Sequence, residues 1–284
     1  MNLMELSRYV GDEDSAEGLL RKMGILKNFD VCPFCGGSRF GRVRRTKFKC
    51  YGCKKEWGVR RDSMLEGLRT PFAKFLMAVK LFELDTSANA AKKQLGVSYN
   101  TVYGIFDLIR KSISSIDLEQ FSFSGEFEAD ESYFGGKRKG KRGRGAAGKV
   151  PVFGILERGG RVRVEVVKDV RGETLLEMTI KKVKRGNLVY TDKFRSYNGL
   201  VTYGFRHRRI DHGKQFSNGK VYINGIEGFW SFAKERLMKY HGVDPQNFPL
   251  YLKEMEFRYN NRDQDLYDML MQSLSEYHKV ASIK

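Results

Sequence analysis

Residues 126–133 read EFEADESY, a run that predicts a strand carrying Asp130, with Glu128 on the same face and the neighbouring Glu131 on the opposite one. Working outward, Val150–Glu157 and Arg161–Val167 predict two further strands about an Arg158-Gly159-Gly160 turn, a hairpin. Thr174–Lys184 predicts a helix, Leu188–Thr191 a buried strand ending at Asp192, and His207–Ile210 another strand. Two helices close the region, at about Asn224–Lys239 and Phe248–Asn260. Three strands able to pair antiparallel, a helix, a short strand and more helices follow the order of an RNase H-like α/β layer. No internal repeat interrupts it.

Three acids in this region suit one kind of chemistry. Cleavage and transfer of a phosphodiester use two divalent ions about 4 Å apart, held by carboxylates on rigid elements whose ends converge. Asp130 lies in the first strand, Asp192 ends the apolar strand LVYTD, and Glu227 opens the helix IEGFWSFAKERL. Lys234 follows Glu227 by seven residues, so two helical turns bring the ammonium to the carboxylate's face, where it suits a DNA phosphate. Each acid alone reads as a turn, cap or exposed surface residue; the conjunction points to Mg2+ or Mn2+, two ions, bound by Asp130, Asp192 and Glu227. Glu128 is a candidate supporting residue, and His207 and His212 are expected at the surface. Between the first two strands runs GGKRKGKRGRGAAGK, residues 135–149. Its Lys137, Arg138, Lys139, Lys141, Arg142 and Arg144 either form a solvated loop or clamp substrate phosphates.

Upstream, CPFCGGSRFGRVRRTKFKCYGC spans Cys32–Cys53, two CxxC pairs separated by fourteen residues. Each pair sets two thiolates on a tight turn, so Cys32, Cys35, Cys50 and Cys53 complete a tetrahedral, structural Zn2+ site. The intervening strands carry Arg42, Arg44, Arg45 and Lys47, expected to face DNA. Residues 71–113 predict three helices with the turn Gly96-Val97-Ser98 before the third, the layout of a helix-turn-helix. Asn100, Thr101 and Tyr103 are then placed to reach base edges, although a plain helical linker is the alternative. Residues 1–30 predict one or two short packing helices, and residues 264–284 an apolar stripe that either packs or forms an interface.

Composition agrees. The chain sets 52 Lys and Arg against 34 Asp and Glu, a formal charge of +18, which calls for a polyanionic partner, nucleic acid ahead of a membrane. Its 284 residues include 41% hydrophobic and 13% aromatic side chains, enough for several modules and a sizeable core. No apolar run reaches the ~20 residues of a membrane span. Residues 1–9 lack a secretory pattern, so the expected site of action is the cytoplasm, at the nucleoid.

The phrases EADESYFGG, YTDKFRSY, NGIEGFWSFAKERL and LKEMEFRYNNR resemble the Merlin-type bacterial insertion-sequence transposases, from about Cys32 to Arg262. The resemblance implies an RNase H-like DDE domain, Mg2+ dependence and action on terminal inverted repeats. By motif it carries the metal-ligand role to Asp130, Asp192 and Glu227 and a DNA contact to Lys234. Relatives in this broad group can have Asn or His as the third ligand; this sequence has Glu227 at the matching position, with Asn224 one turn earlier as a competing candidate. The expected organisation is a helical segment at 1–30, a zinc ribbon at 31–62, a helix-turn-helix at 68–116, a catalytic domain at 122–262 and a helical tail at 263–284. On this reading the enzyme cleaves the element's ends with water and the freed 3′-OH attacks target DNA, in a homodimer or larger synaptic complex. A structure-directed nuclease and a domesticated DNA-binding regulator are the rival expectations.

Overall fold

The computed structural model describes residues 1–115, 125–135, 149–192, 199–210 and 223–281. Contacts divide the chain into two units, residues 1–116 with 264–284, and residues 117–263.

The first unit begins with α1 (Leu3–Val10) and α2 (Glu13–Lys22), each started by its own cap. Asn2 and Glu5 form a reciprocal capping box, and Asp12 accepts the Ser15 N–H at 2.8 Å. Three short antiparallel strands follow, β1 (Phe40–Arg44), β2 (Lys47–Cys50) and β3 (Glu56–Gly58), in that order across the sheet. Trp57, 3% exposed, fills the space beneath them against Phe29, Phe40 and Phe48. Helices α3 (Phe72–Glu83), α4 (Ala88–Leu95) and α5 (Tyr99–Ser115) complete this part. Pro71 offers α3 no side-chain acceptor, and Glu13 supplies one from a distance, accepting the N–H of Phe72 and Ala73 at 3.0 and 2.9 Å. Ser87 caps α4, Gly96 ends it at φ +59°, and Ser98 accepts the Thr101 N–H at 3.1 Å to start α5. Phe75, Leu76, Val79 and Phe82 meet Val102, Ile105, Phe106 and Ile109 in the core between α3 and α5.

The second unit is built on one mixed sheet of β4 (Glu126–Phe134), β5 (Val150–Glu157), β6 (Val162–Val166), β7 (Leu188–Asp192) and β8 (Arg206–Ile210). Its order is β6-β5-β4-β7-β8; β4, β5 and β6 run antiparallel, and β7 and β8 lie parallel to β4. Helix α6 (Gly172–Lys182) follows β6, while α7 (Asn224–Met238) and α8 (Phe248–Asn260) follow β8. Strand alternation sorts the core. Phe127, Ala129, Phe153, Ile155 and Val189 pack with Leu175 of α6, whereas Val152, Leu156, Val164 and Tyr190 pack with Ile226, Phe229, Trp230 and Met255 of α7 and α8.

Edge strand β6 is closed by side chains. The Asn260 carboxamide accepts the Val162 N–H at 2.8 Å and donates to its carbonyl at 2.9 Å, while Glu256 accepts the Val164 N–H at 2.8 Å. The motif EFRYNNR thus does the work of a further strand and leaves less edge open to another chain.

The chain then returns to the first unit as α9 (Leu266–Ala281), which lies against α3 and α5. Tyr267, Leu270, Met271 and Leu274 are each 0–1% exposed, Tyr267 Oη donates to the Leu76 carbonyl at 3.3 Å, and Ser273 meets Ser112 at 3.0 Å. Residues 267–275 therefore pack into the core of the unit from which the chain departed. Truncating Leu274 to Ala should lower the unfolding free energy of this unit by about 2–5 kcal/mol, read by urea denaturation, with hydrogen-exchange protection lost first in α3 and α5. A change below about 0.5 kcal/mol is the outcome that contradicts this packing.

Candidate active site

The site begins with the parallel pairing of the two central strands. Register pairs run Glu126↔Leu188, Phe127↔Val189 and Glu128↔Tyr190, so two residues further along lie Asp130 on β4 and Asp192 at the end of β7. Parallel strands in register turn equivalent side chains to one face, and the two acids approach for that reason. Carboxylate oxygens of Asp130, Asp192 and Glu131 all lie within 4.8 Å of one another.

Glu131 corrects the expectation from alternation, which sent it to the opposite face. Register pairing between β4 and β7 runs from Glu126↔Leu188 to Glu128↔Tyr190, and Glu131 lies three residues beyond it. Its longer side chain reaches back to the two aspartates, a contact that a period of two cannot reveal.

Burial and crowding raise the Asp130 carboxyl to about 7. Desolvation is the main cause, followed by the charges of Glu131 and Asp192, while hydrogen bonds from the Glu131 backbone and the Trp230 indole pull the other way. Like charges gathered away from water favour a cation among them, and hard carboxylate oxygens favour a divalent one.

Helix α7 forms the wall opposite. Glu227, Trp230, Ser231 and Lys234 line a cleft of about 530 Å3 with Asp130, Glu131, Ser132, Tyr133 and Lys149. Glu227 shares this cleft but lies outside the tight group of three carboxylates. Asn224, the rival third ligand, is the exposed first residue of α7 and is absent from the described lining. Lys234 lies 5.6 Å from the Phe134 ring centroid; desolvation lowers its pKa, Asp130 opposes that shift and Lys149 adds to it.

Glu128, 1% exposed, anchors the start of α7 by accepting the Ile226 N–H at 2.9 Å. Arg158 lies 3.4 Å from it, donates to Glu126 at 3.1 Å and covers the Tyr190 ring at 3.6 Å. Burial raises the Glu128 pKa, opposed first by the Ile226 N–H and then by Arg158. His207, expected at the surface, is instead half-buried on β8 with Nε2 at 2.9 Å from Thr191 Oγ1, and desolvation brings it down to about 4. It stands beside Asp192 through Thr191, whose hydroxyl also donates to the Asp192 carbonyl at 2.8 Å. His212 lies outside the described residues, as do Lys137, Arg138, Lys139, Lys141, Arg142 and Arg144.

In the first unit the four cysteine sulfurs lie within 4.8 Å of one another. Cys32–Cys53 and Cys35–Cys50 are each separated by 3.7 Å, close to the ~3.8 Å edge of a tetrahedron with ~2.3 Å zinc–sulfur bonds. Both turns use a left-handed residue after the second cysteine, Gly36 at φ +69° and Lys54 at φ +63°. The cysteines are free thiols, so the donor set fits a zinc ion. Of the basic residues nearby, Arg42 pairs with Glu17 and lies 3.9 Å from Asp14, Arg45 lies 3.5 Å from Asp14, and Lys47 lies 4.0 Å from Glu56. Asn100 is exposed, Thr101 shares the Ser98 cap, and Tyr103 stacks on Tyr99 with centroids 5.9 Å apart.

Residues 122–260, the span of this site, match the ISXO2-like transposase domain. Over 103 residues the chain is 46% identical to an uncharacterized transposase-like protein of Haemophilus influenzae, covering 36% of this chain and 84% of the relative. The chain belongs to the ISXO2-like transposase family. Among solved structures it is similar to a pre-cleavage Mos1 transpososome, at 14% identity over 73% of this chain and 77% of that chain, with a TM-score of 0.31. A Mos1 mariner paired-end complex with Mn is similar at 14% identity over 73% and 77%, with a TM-score of 0.30. No described helix is long and apolar enough to cross a membrane.

The Asp130 environment generates a stability prediction. Its carboxyl sits higher in the fold, at about 7, than its ordinary 3.8, so ionisation opposes folding. The cost is absent below the ordinary value and complete above about 7, so stability falls as pH rises between them. Asp130→Asn should therefore raise the unfolding free energy at pH 8 without added divalent ion, by up to about 4 kcal/mol at 1.36 kcal/mol per pKa unit, read by denaturant unfolding. The gain should vanish near pH 4; an equal gain at both pH values would contradict the electrostatic origin.

Proposed function

We propose that this family member is a DNA transposase that binds the terminal inverted repeats of an insertion sequence, cleaves its ends and joins the freed 3′ strands to target DNA. The observation that carries the reading is the arrival of Asp130 and Asp192 from neighbouring parallel strands at one cleft, opposite Glu227 and Lys234. Asp130, Asp192 and Glu227 hold two Mg2+ or Mn2+ ions, with Glu131 near enough to share the duty. When bound, such ions lower the barrier to phosphodiester attack by stabilising charge on the attacking and leaving oxygens. Lys234 holds the DNA phosphate at the cleft, and Thr191 and His207 steady the end of β7.

The mixed sheet, with three antiparallel strands followed by two parallel ones, supports an RNase H-like reading of the catalytic unit. In the other unit, the zinc ribbon and α4–α5, read as a helix-turn-helix, recognise the repeat. Asn100, Thr101 and Tyr103 lie at the start of the reading helix, and Arg44 and Lys47 extend the contact. Arg42 and Arg45 hold α2 as well as any phosphate, since acids already face them. Two ends must be joined, so the working species is a homodimer or larger synaptic assembly.

The test is a Mg2+-dependent cleavage and strand-transfer assay on end-containing DNA, run beside DNA binding and a melting curve. Asp130→Asn, Asp192→Asn and Glu227→Gln should remain folded and bind the ends, while cleavage falls on the order of a thousandfold. Glu131→Gln belongs in the series: its loss together with normal cleavage by Glu227→Gln would move the third ligand to Glu131. Full cleavage by both aspartate variants would overturn the carboxylate–metal mechanism, whereas a parent protein that binds the ends without cleaving them would leave a DNA-binding regulator.

Metal analysis of protein purified without chelator should find one zinc per chain. Cys35→Ser should lose that zinc together with binding to the repeat, because zinc binding is part of the ribbon's folding. Protein that contains no zinc yet binds the repeat fully contradicts the structural role.

A further inference from the structure

Trp230 stands in the wall of the cleft, and its indole Nε1–H donates to Asp130 Oδ2 at 3.0 Å. The ring is 5% exposed and held by Phe134 and Phe229, with centroids 6.0 and 5.2 Å away. Room for it comes from across the strand pair. Gly154 stands opposite Asp130 in the register, between Phe153 and Ile155, where a strand ordinarily favours a branched or aromatic residue. A Cβ at Gly154 would lie 2.7 Å from both Cη2 and Cζ2 of Trp230. Side-chain packing is thus given up at the centre of β5 at the one position where the indole must pass.

We propose that Trp230 is the positioning residue for the divalent ions, an inference that rests on reading Asp130 as a metal ligand. The hydrogen bond fixes the plane of the Asp130 carboxylate before any ion arrives. The choice of donor matters chemically. An indole N–H carries no charge to offset that of Asp130, does not titrate, and has no lone pair with which to compete for the ion. Lysine or arginine in its place would neutralise the ligand, and histidine would be a rival ligand. The same bond ties α7 to β4, and Glu227 lies one turn before Trp230 on that helix, so one contact also sets the third acid relative to the first.

The experiment measures Mn2+ binding by electron paramagnetic resonance on the full, zinc-containing chain, for the parent, Trp230→Phe and Asp130→Asn, each checked by melting. Supporting bonds of this kind are worth about ten- to a hundredfold in metal affinity. Trp230→Phe should weaken Mn2+ binding by that factor, and cleavage should recover when the ion is raised to saturation. Parent-like Mn2+ affinity in Trp230→Phe, with binding lost in Asp130→Asn, overturns the proposal and leaves the ligand assignment standing. Full binding by Asp130→Asn overturns the ligand assignment itself.

A second measurement needs no variant to fold. The chain contains two tryptophans, so the indole N–H region of a 15N spectrum holds two signals. Mg2+ titration should move one signal saturably and leave that of Trp57 in place. An unmoved pair of signals under ion concentrations that occupy the site overturns the proposal.

Discussion

Holding carboxylates together inside a sheet is the constraint around which the catalytic unit is organised. Asp130 is placed by β4 at the centre of five strands, where water is scarce and Asp192 and Glu131 are close. Its carboxyl rises to about 7 because each added charge is unfavourable there. Such a cluster persists only because the surrounding backbone over-determines it. Pairing of Asp130 with Gly154 of β5, and of β4 with β7 as far as Glu128, leaves Asp130 little freedom to relax away, and a bound cation would relieve the penalty.

Helix α7 is attached to the sheet through that acidic strand. Glu128 accepts the Ile226 N–H at its start, and Asp130 accepts the Trp230 indole one turn later. Two neighbouring acids on one face of β4 therefore play opposite parts. Glu128 is buried, faced by Arg158 and occupied in holding the helix; Asp130 opens on the cleft. Apolar packing of Ile226, Phe229, Trp230 and Ala233 supplies the bulk of the attachment, and the two polar contacts set the helix's position along the strand.

The other unit meets a different problem, a small ribbon with little core. Trp57 and three phenylalanines give it an aromatic centre, and four thiolate donors gather its two turns. Acids of α2 reach outward to stabilise their neighbours: Glu13 caps α3, and Glu17 holds Arg21 and Arg42. Since α9 completes the core with α3 and α5, the second unit is an insertion within the first, joined to it by the chain at both ends. A chain threaded this way must fold its first unit from segments separated by the whole of the second.

Much of this was legible along the chain because local periodicity and caps act over a few residues. Alternation and helical spacing located β4, β7, α7 and α8 to within a residue or two, and the CxxC spacing named the thiolate cluster. Asp130, Asp192 and Glu227 stood out as acids in a strand, at a strand end and at a helix start, and Lys234 by its spacing of seven from Glu227. Other features depend on neighbours remote in sequence. Glu131 brings a carboxylate oxygen to the two aspartates, and His207 is half-buried because β8 lies beside β7. Gly154 reads as a weak strand residue until Trp230, seventy-six positions later, is seen to cross it. Residues 264–281 carried an apolar stripe without naming what it covers; only the folded chain brings it to α3 and α5. The sequence by itself determined which elements form and offered Asp130, Asp192 and Glu227 as candidate acids, because those follow from local pattern and chemistry. Tertiary structure alone decided which side chains meet, because contact between distant segments depends on strand register and helix packing that no local window contains.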